Sequence, residues 1–266
     1  MRDTMEKTTT PLGRKPASAR PTASQTLVRG LDIIEAVAMG GADDITTIAT
    51  RTGMTYSTAH RIVSVLIQRR YLKRMPGKGY HLGSKLLALG FQAYGQIDLT
   101  PLAHPFLEHL AQQTHDTVHL ACEELGAVFY LDKIASRRPV EISSRIGGTK
   151  PLISTGVGKA LLLDGSVRSW GALYDADAHR LGLTMPRDQW LDMMQDYARH
   201  GYTYDLGEDE PTIRCVAAPV RDASHQIVAA ISVSSTTDYM PPERMRDLVP
   251  IVSETARQIS AELGNL

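Results

Sequence analysis

Apolar residues recur at helical spacing along the first third of the chain. Leu27, Leu31, Ile34 and Ala38 form one stripe over about 24–39, and Gly40-Gly41 ends it. A second, shorter helix is expected over about 46–52, with Ile48 and Ala49 inward and Gly53 as its break. A third starts after Thr55, a capping residue, and runs to about Arg70 with Ala59, Ile62, Val63 and Leu66 on its buried side. Tyr71 to Arg74 and Gly79 to Leu82 read as short strands around the turn Met75-Pro76-Gly77-Lys78. Leu82, Leu86, Leu89 and Ala93 then stripe another helix that ends near Gly95 and needs a partner surface.

Beyond it the pattern alternates. Helices are expected over 101–114, 157–163 and 187–200, the last capped by Gly201. Residues 117–122 and 128–134 read as one hairpin, and 215–220 and 227–234 as another. A closing helix starts at Pro241-Pro242, striped by Met245, Leu248, Val252, Ala256, Ile259 and Leu263, and Pro250 is expected to kink it. Alternating strands and helices predict an α/β or α+β second domain around a sheet.

A chain of 266 residues with 42% apolar and 22% charged residues has room for two globular cores. The two cysteines, Cys122 and Cys215, stand far apart, which argues against a Cys-based zinc site and for a reducing, cytoplasmic setting. No apolar run approaches the roughly 20 residues of a membrane span, and the first residues lack the apolar core of a signal peptide. Residues 1–23, rich in Thr, Pro, Ala and Arg, read as a disordered basic arm. The net charge is zero, yet residues 1–90 carry +8 and residues 91–266 carry −8. That split points to a polyanion-binding module joined to a different one.

The segment 46–66 sharpens this reading. Small Ala49, then Gly53, then apolar Ala59 and Ile62 provide what a helix-turn-helix needs: close helix approach, a tight turn and an anchored second helix. The second helix leaves Tyr56, Ser57, Thr58, His60, Arg61 and Ser64 off its buried face, with Thr55 at its start, to enter the major groove of double-stranded DNA. Lys73, Arg74 and Lys78 follow on the strand pair, where a wing would meet phosphates.

These residues resemble a known family. Ser24 to Glu35, Ile48 to Met54, Ser57 to Val63 and Tyr80 to Gly83 look like the amino-terminal domain of IclR-type bacterial transcriptional regulators. Ser144 to Gly147, Ser154 to Leu162, Gly201-Tyr202, Cys215 to Val220 and Ala229 to Ser234 fit that family's effector domain in order and spacing. The resemblance implies an α+β chain. A winged helix-turn-helix would cover 24–83, a linker helix 84–97, and a GAF-like α/β effector-binding domain 98–266. It further implies a homodimer or dimer of dimers that binds operator DNA and a small-molecule effector, often a carboxylic acid.

By the same resemblance, Gly156, Val157 and Gly158 line the effector pocket, and Asp205 and Cys215 match its acid and cysteine. Ser232 and Ser234, which share a strand face by alternation, match its hydroxyls. Hydroxyls, an acid and a thiol suit a small hydroxylated carboxylic or sugar acid. The chain departs from the family in the loop after Asp205, where Gly207-Glu208 replace a pair of acids and Thr212 replaces a glycine. Gly156-Val157-Gly158-Lys159 does not make a phosphate loop: Ile153 and Ala160 stand where Gly and Ser or Thr belong. His115 and His119 have metal-like spacing but read as structural, with no third ligand evident, and no cofactor is expected. The alternative is a small-molecule enzyme or carrier using the second-domain pocket, with Cys215 as the candidate nucleophile. The apolar run after Cys215 argues for an inert thiol.

Overall fold

A computed structural model describes residues 24–139 and 142–265. The arm assigned to 1–23 lies outside the described residues. The chain divides into two compact units between Gln96 and Ile97.

In the first unit, Ile33, Ala36 and Val37 are the buried side of α1 (Gln25–Ala38). This corrects the stripe expected there: Leu27, Leu31 and Ala38 are exposed and Ile34 is half-buried. The helix is apolar on two sides, and its own domain covers only one of them. Asp44 caps α2 (Ile45–Arg51) by accepting from the Thr47 amide at 2.7 Å. Gly53 takes φ +63°, a left-handed conformation that a side chain would disfavour, and lets the chain turn into α3 (Tyr56–Gln68). Thr55 caps α3 as expected. Ile45, Ile48, Ala49, Ala59, Ile62 and Val63 pack with Ile33, Val37 and Leu72 into one core. Burying each large aliphatic side chain there is worth about 1.5–3 kcal/mol. Strands β1 (Leu72–Met75) and β2 (Gly79–Leu82) form the antiparallel wing, with Arg74 opposite Tyr80. Helix α4 (Ser84–Tyr94) follows; Leu82 and Leu89 are exposed and Leu86 is half-buried.

The second unit is built on one antiparallel sheet. Its strands are β3 (Thr117–Glu124), β4 (Ala127–Ile134), β5 (Thr149–Lys150), β6 (Thr203–Asp205), β7 (Ile213–Arg221) and β8 (Ile227–Thr236), ordered β5-β4-β3-β8-β7-β6. Side-chain alternation gives the sheet two different faces. Val118, Leu120, Val216, Ala218, Ile231 and Val233 meet α5 (Leu99–Thr114) and α9 (Pro242–Glu262) in the larger core. The stripe expected on α9 is buried at all six positions. The helix runs through Pro250 as one element, because Pro250 is on the solvent side, where water can satisfy the carbonyl it leaves free. On the opposite face small residues, Ala121, Ala217 and Ala230, leave room for the short helix α6 (Gly156–Leu161).

Helix α7 (Val167–Leu181) was not expected from the sequence. It buries only Trp170, Gly171 and Ala178, too few for a visible stripe, and its signal is the capping box of Ser166 and Ser169. It packs on α8 (Arg187–His200) around Trp170, Trp190, Leu191 and Met194. Trp190 donates to the Ile153 carbonyl at 3.1 Å and thereby fixes the residues leading into α6.

Candidate functional site

The polar side of α3 is open. Tyr56, Ser57, His60, Arg61 and Ser64 are exposed and Thr58 is half-buried. The Tyr56 and His60 rings stack at 6.1 Å, and the Ser64 hydroxyl donates to the His60 carbonyl at 2.8 Å. On the wing, Lys73, Arg74 and Lys78 are exposed, with the Arg74 guanidinium 5.9 Å from the Tyr80 ring centre. Among the described residues, no ion pair involves Arg61, Lys73, Arg74 or Lys78. These cations are free to meet phosphates.

The second unit encloses a cavity of about 30 Å³ between the sheet and α6. Strand register assembles its floor. Asp205 pairs with Cys215, Cys215 with Ser234, and, two residues along, Ser232 with His119. Steps of two keep one face, so four strands deliver five polar side chains to one side of the sheet. Gly156 and Val157 close the cavity from α6. Gly158 does not line it; a side chain there would run into Leu152 and Thr155, so its role is packing.

Sequence reasoning missed part of this site. His119, expected to be structural, lies in the cavity wall, with Nε2 2.6 Å from the Ser144 hydroxyl and Nδ1 3.3 Å from that of Ser232. Burial, helped by the Lys133 cation, pushes its pKa down to about 3, so the ring is neutral at physiological pH. Tyr130, Ile142, Lys150, Asp209 and Glu210 also line the cavity. The spacing of His115 and His119 carried no sign of this, because His119 meets its partners only through strand pairing. Asp116 is engaged elsewhere, by Arg138 at 2.7 Å and by Arg244. No cluster of three potential metal ligands occurs among the described residues.

The electrostatics beside Asp205 centre on Lys159. Lys159 is fully buried and donates to Glu208 at 2.6 Å. Burial opposes ionisation of Glu208, but the Lys159 cation together with hydrogen bonds from Asp205, Lys159 and the Leu206 amide outweighs it and holds that carboxyl below its usual range. Asp205 moves the other way: burial and the neighbouring Glu208 push it up to about 7, while its Oδ1 accepts from the Gly207 and Glu208 amides at 2.9 Å each. Glu208 is therefore the structural counter-ion of a buried lysine. Burial also pushes the Cys215 thiol well above its usual range, so it stays protonated.

Residues 91–261 match the family described as Bacterial transcriptional regulator IclR C-terminal, and residues 26–76 match the IclR helix-turn-helix domain. The chain belongs to the IclR family of bacterial transcriptional regulators. IclR-family relatives span nearly its whole length. HTH-type transcriptional regulator RhmR of Escherichia coli (strain K12) is 31% identical over 242 residues, 90% of this chain and 93% of that protein. The Acetate operon repressor of Salmonella typhimurium is 26% identical, covering 95% and 96% of the two chains. The crystal structure of the Agrobacterium tumefaciens repressor BlcR shares the fold, with a TM-score of 0.78 at 23% identity, over 92% of this chain and 99% of that one. As an IclR-family protein, the chain is a DNA-binding regulator with an effector-binding domain, and not an enzyme. That removes the alternative in which Cys215 is a nucleophile. No helix among the described residues is long and apolar enough to cross a membrane.

Proposed function

We propose that this IclR-family regulator controls a small-molecule catabolic operon and senses a small carboxylic or sugar acid in the cavity under α6. The observation that carries the reading is the buried polar floor. His119, Asp205, Ser232 and Ser234 bring donors and acceptors to one closed space, beside Cys215 and beneath Gly156 and Val157. These groups bond to one another and to Ser144 and the 207–208 amides, and a hydroxylated ligand can exchange into the longer of these bonds, such as the 3.3 and 3.4 Å contacts of Ser232. The Acetate operon repressor, a relative over almost the full chain, bears the name of an operon for a small acid. DNA is read by α3 from Thr55 to Ser64, with Lys73, Arg74 and Lys78 of the wing on the backbone. One winged helix covers one half-site, so the active species is a homodimer or dimer of dimers.

The test uses the full chain. A gel shift on the intergenic DNA beside its own gene should give a specific complex, and the operon's acidic substrate should alter it. Calorimetry with that acid should show a loss of about 1–3 kcal/mol in Ser234→Ala, because a ligand group is left unpaired. Operator binding without ligand should persist in Ser234→Ala. Equal affinity of wild type and both Ser234→Ala and Asp205→Ala for the acid would remove the pocket assignment.

A further inference from the structure

The cavity is tight, at about 30 Å³, and the one cation among its described lining residues is already engaged by carboxylates of the protein. An entering acid must exchange with one of them. Glu208 is pinned by Lys159, but Asp209 and Glu210, which line the cavity, are held largely by exchangeable side-chain bonds. Lys150 donates to Asp209 and to Glu210 at 2.8 Å each, Ser143 donates to Glu210 at 2.7 Å, and Ser154 reaches Asp209 at 3.4 Å.

Lys150 is singular in its position. Among the described residues lining the cavity it is the sole cation, since His119 is neutral. It also lines an outer hollow of about 460 Å³, which shares Tyr130, Ser144 and Lys150 with the inner cavity. Burial works against its charge, but the hydrogen bonds to Asp209 and Glu210 more than compensate and raise its pKa. Lys159 cannot take its place, being sealed and bound to Glu208. One ammonium already faces two carboxylates. A third carboxylate entering beside them would meet net repulsion, whereas one that replaces Glu210 leaves the charge count unchanged. Glu210 is 35% exposed and can turn to water, so its release costs little desolvation.

We infer that Lys150 is the anchor for the effector's carboxylate, that Glu210 occupies this anchor beside Asp209 in the unliganded protein, and that the effector displaces Glu210 and loosens residues 209–212, while Glu208 stays pinned to Lys159. This rests on the acid-effector reading above. It makes Lys150 a specificity-determining residue: carboxylic acids bind, and their amides do not.

The experiment has two arms on the full chain. In the first, calorimetry measures binding of glycolate, lactate, glycerate, pyruvate and gluconate, each beside its amide. The expected result is at least one acid binding wild type, more than tenfold weaker binding of it in Lys150→Met, partial recovery in Lys150→Arg, and tighter binding in Glu210→Gln. Equal binding in Lys150→Met, or weaker binding in Glu210→Gln, overturns the exchange and leaves the acid-effector reading standing. Binding of amides but no acids overturns that reading and the anchor with it. In the second arm, hydrogen exchange without ligand should be at least fivefold faster over 209–212 in Lys150→Met, with α9 unchanged. Unchanged exchange over 209–212 refutes the latch even when no compound of the panel binds.

Discussion

Gly156 on α6 and Cys215 on β7 touch so closely that any side chain at 156 would overlap the Cys215 sulfur. The thiol is buried on the cavity floor, and the glycine is what lets α6 settle on the sheet above it. Gly156→Ala should therefore destabilise the second unit by about 1–3 kcal/mol, the usual cost of overpacking. Cys215→Ala in the same chain should recover most of that loss. Urea denaturation of the single and double variants measures both; a Gly156→Ala protein as stable as wild type would sink the contact's importance.

Arg61 stands on the open side of α3 without an ionic partner, and Lys78 stands at the wing turn. Arg61→Ala should weaken operator binding by roughly 1–3 kcal/mol, as for a lost base-edge or buried phosphate contact. Lys78→Ala should weaken specific and non-specific DNA alike and reduce the salt slope by about one unit. Filter binding across a salt series separates the two effects. Unchanged affinity in both variants would move the DNA face elsewhere.

Leu27 is 64% exposed and Leu31 50% exposed on the side of α1 that its own domain leaves bare. Each would contribute about 1–2 kcal/mol if covered by a second copy, since part of each is already covered. The wild-type chain is expected to run as a dimer or larger in light scattering at micromolar concentration. Leu27→Glu with Leu31→Glu should shift it to monomer and weaken operator binding. A wild-type monomer that still binds its operator tightly would contradict the assignment.

His119 makes stability depend on pH. Its pKa is about 3 in the folded protein and about 6.5 when unfolded, so the unfolded chain binds its proton first. The contribution is intact above pH 6.5 and falls by up to about 1.4 kcal/mol per pH unit as pH drops from 6.5 toward 3. Asp205, raised to about 7, acts in the opposite sense, and His119→Gln retains it. The difference between wild-type and His119→Gln stabilities, measured from pH 7 to pH 4, should therefore shrink or reverse as pH falls. Parallel curves would show that the ring is not buried in its neutral form.

Much of this protein was legible along the chain. Ala49, Gly53, Thr55 and Ala59 prescribe a turn and a capped helix through local sterics and hydrogen bonding, and the structure places them so. The stripe of α9 and the two long hairpins follow from periodicity, because each buries one continuous face. Asp205, Cys215, Ser232 and Ser234 were recognisable through family resemblance, and strand register brings them together. What periodicity could not supply was the side of α1 that its own domain covers. A helix apolar on two sides gives both the same local signal, and only packing against Ile62, Val63 and Leu72 selects Ile33 and Val37. Helix α7 escaped for the converse reason, since it buries too little for a stripe to appear. The pocket's electrostatics were hidden more deeply. Lys159 and Glu208 are 49 residues apart, Lys150 and Glu210 are 60 apart, and His119 and Ser232 are 113 apart. Local sequence specifies each side chain's chemistry, but burial and pairing set its charge, and both exist only once the sheet has closed under α6.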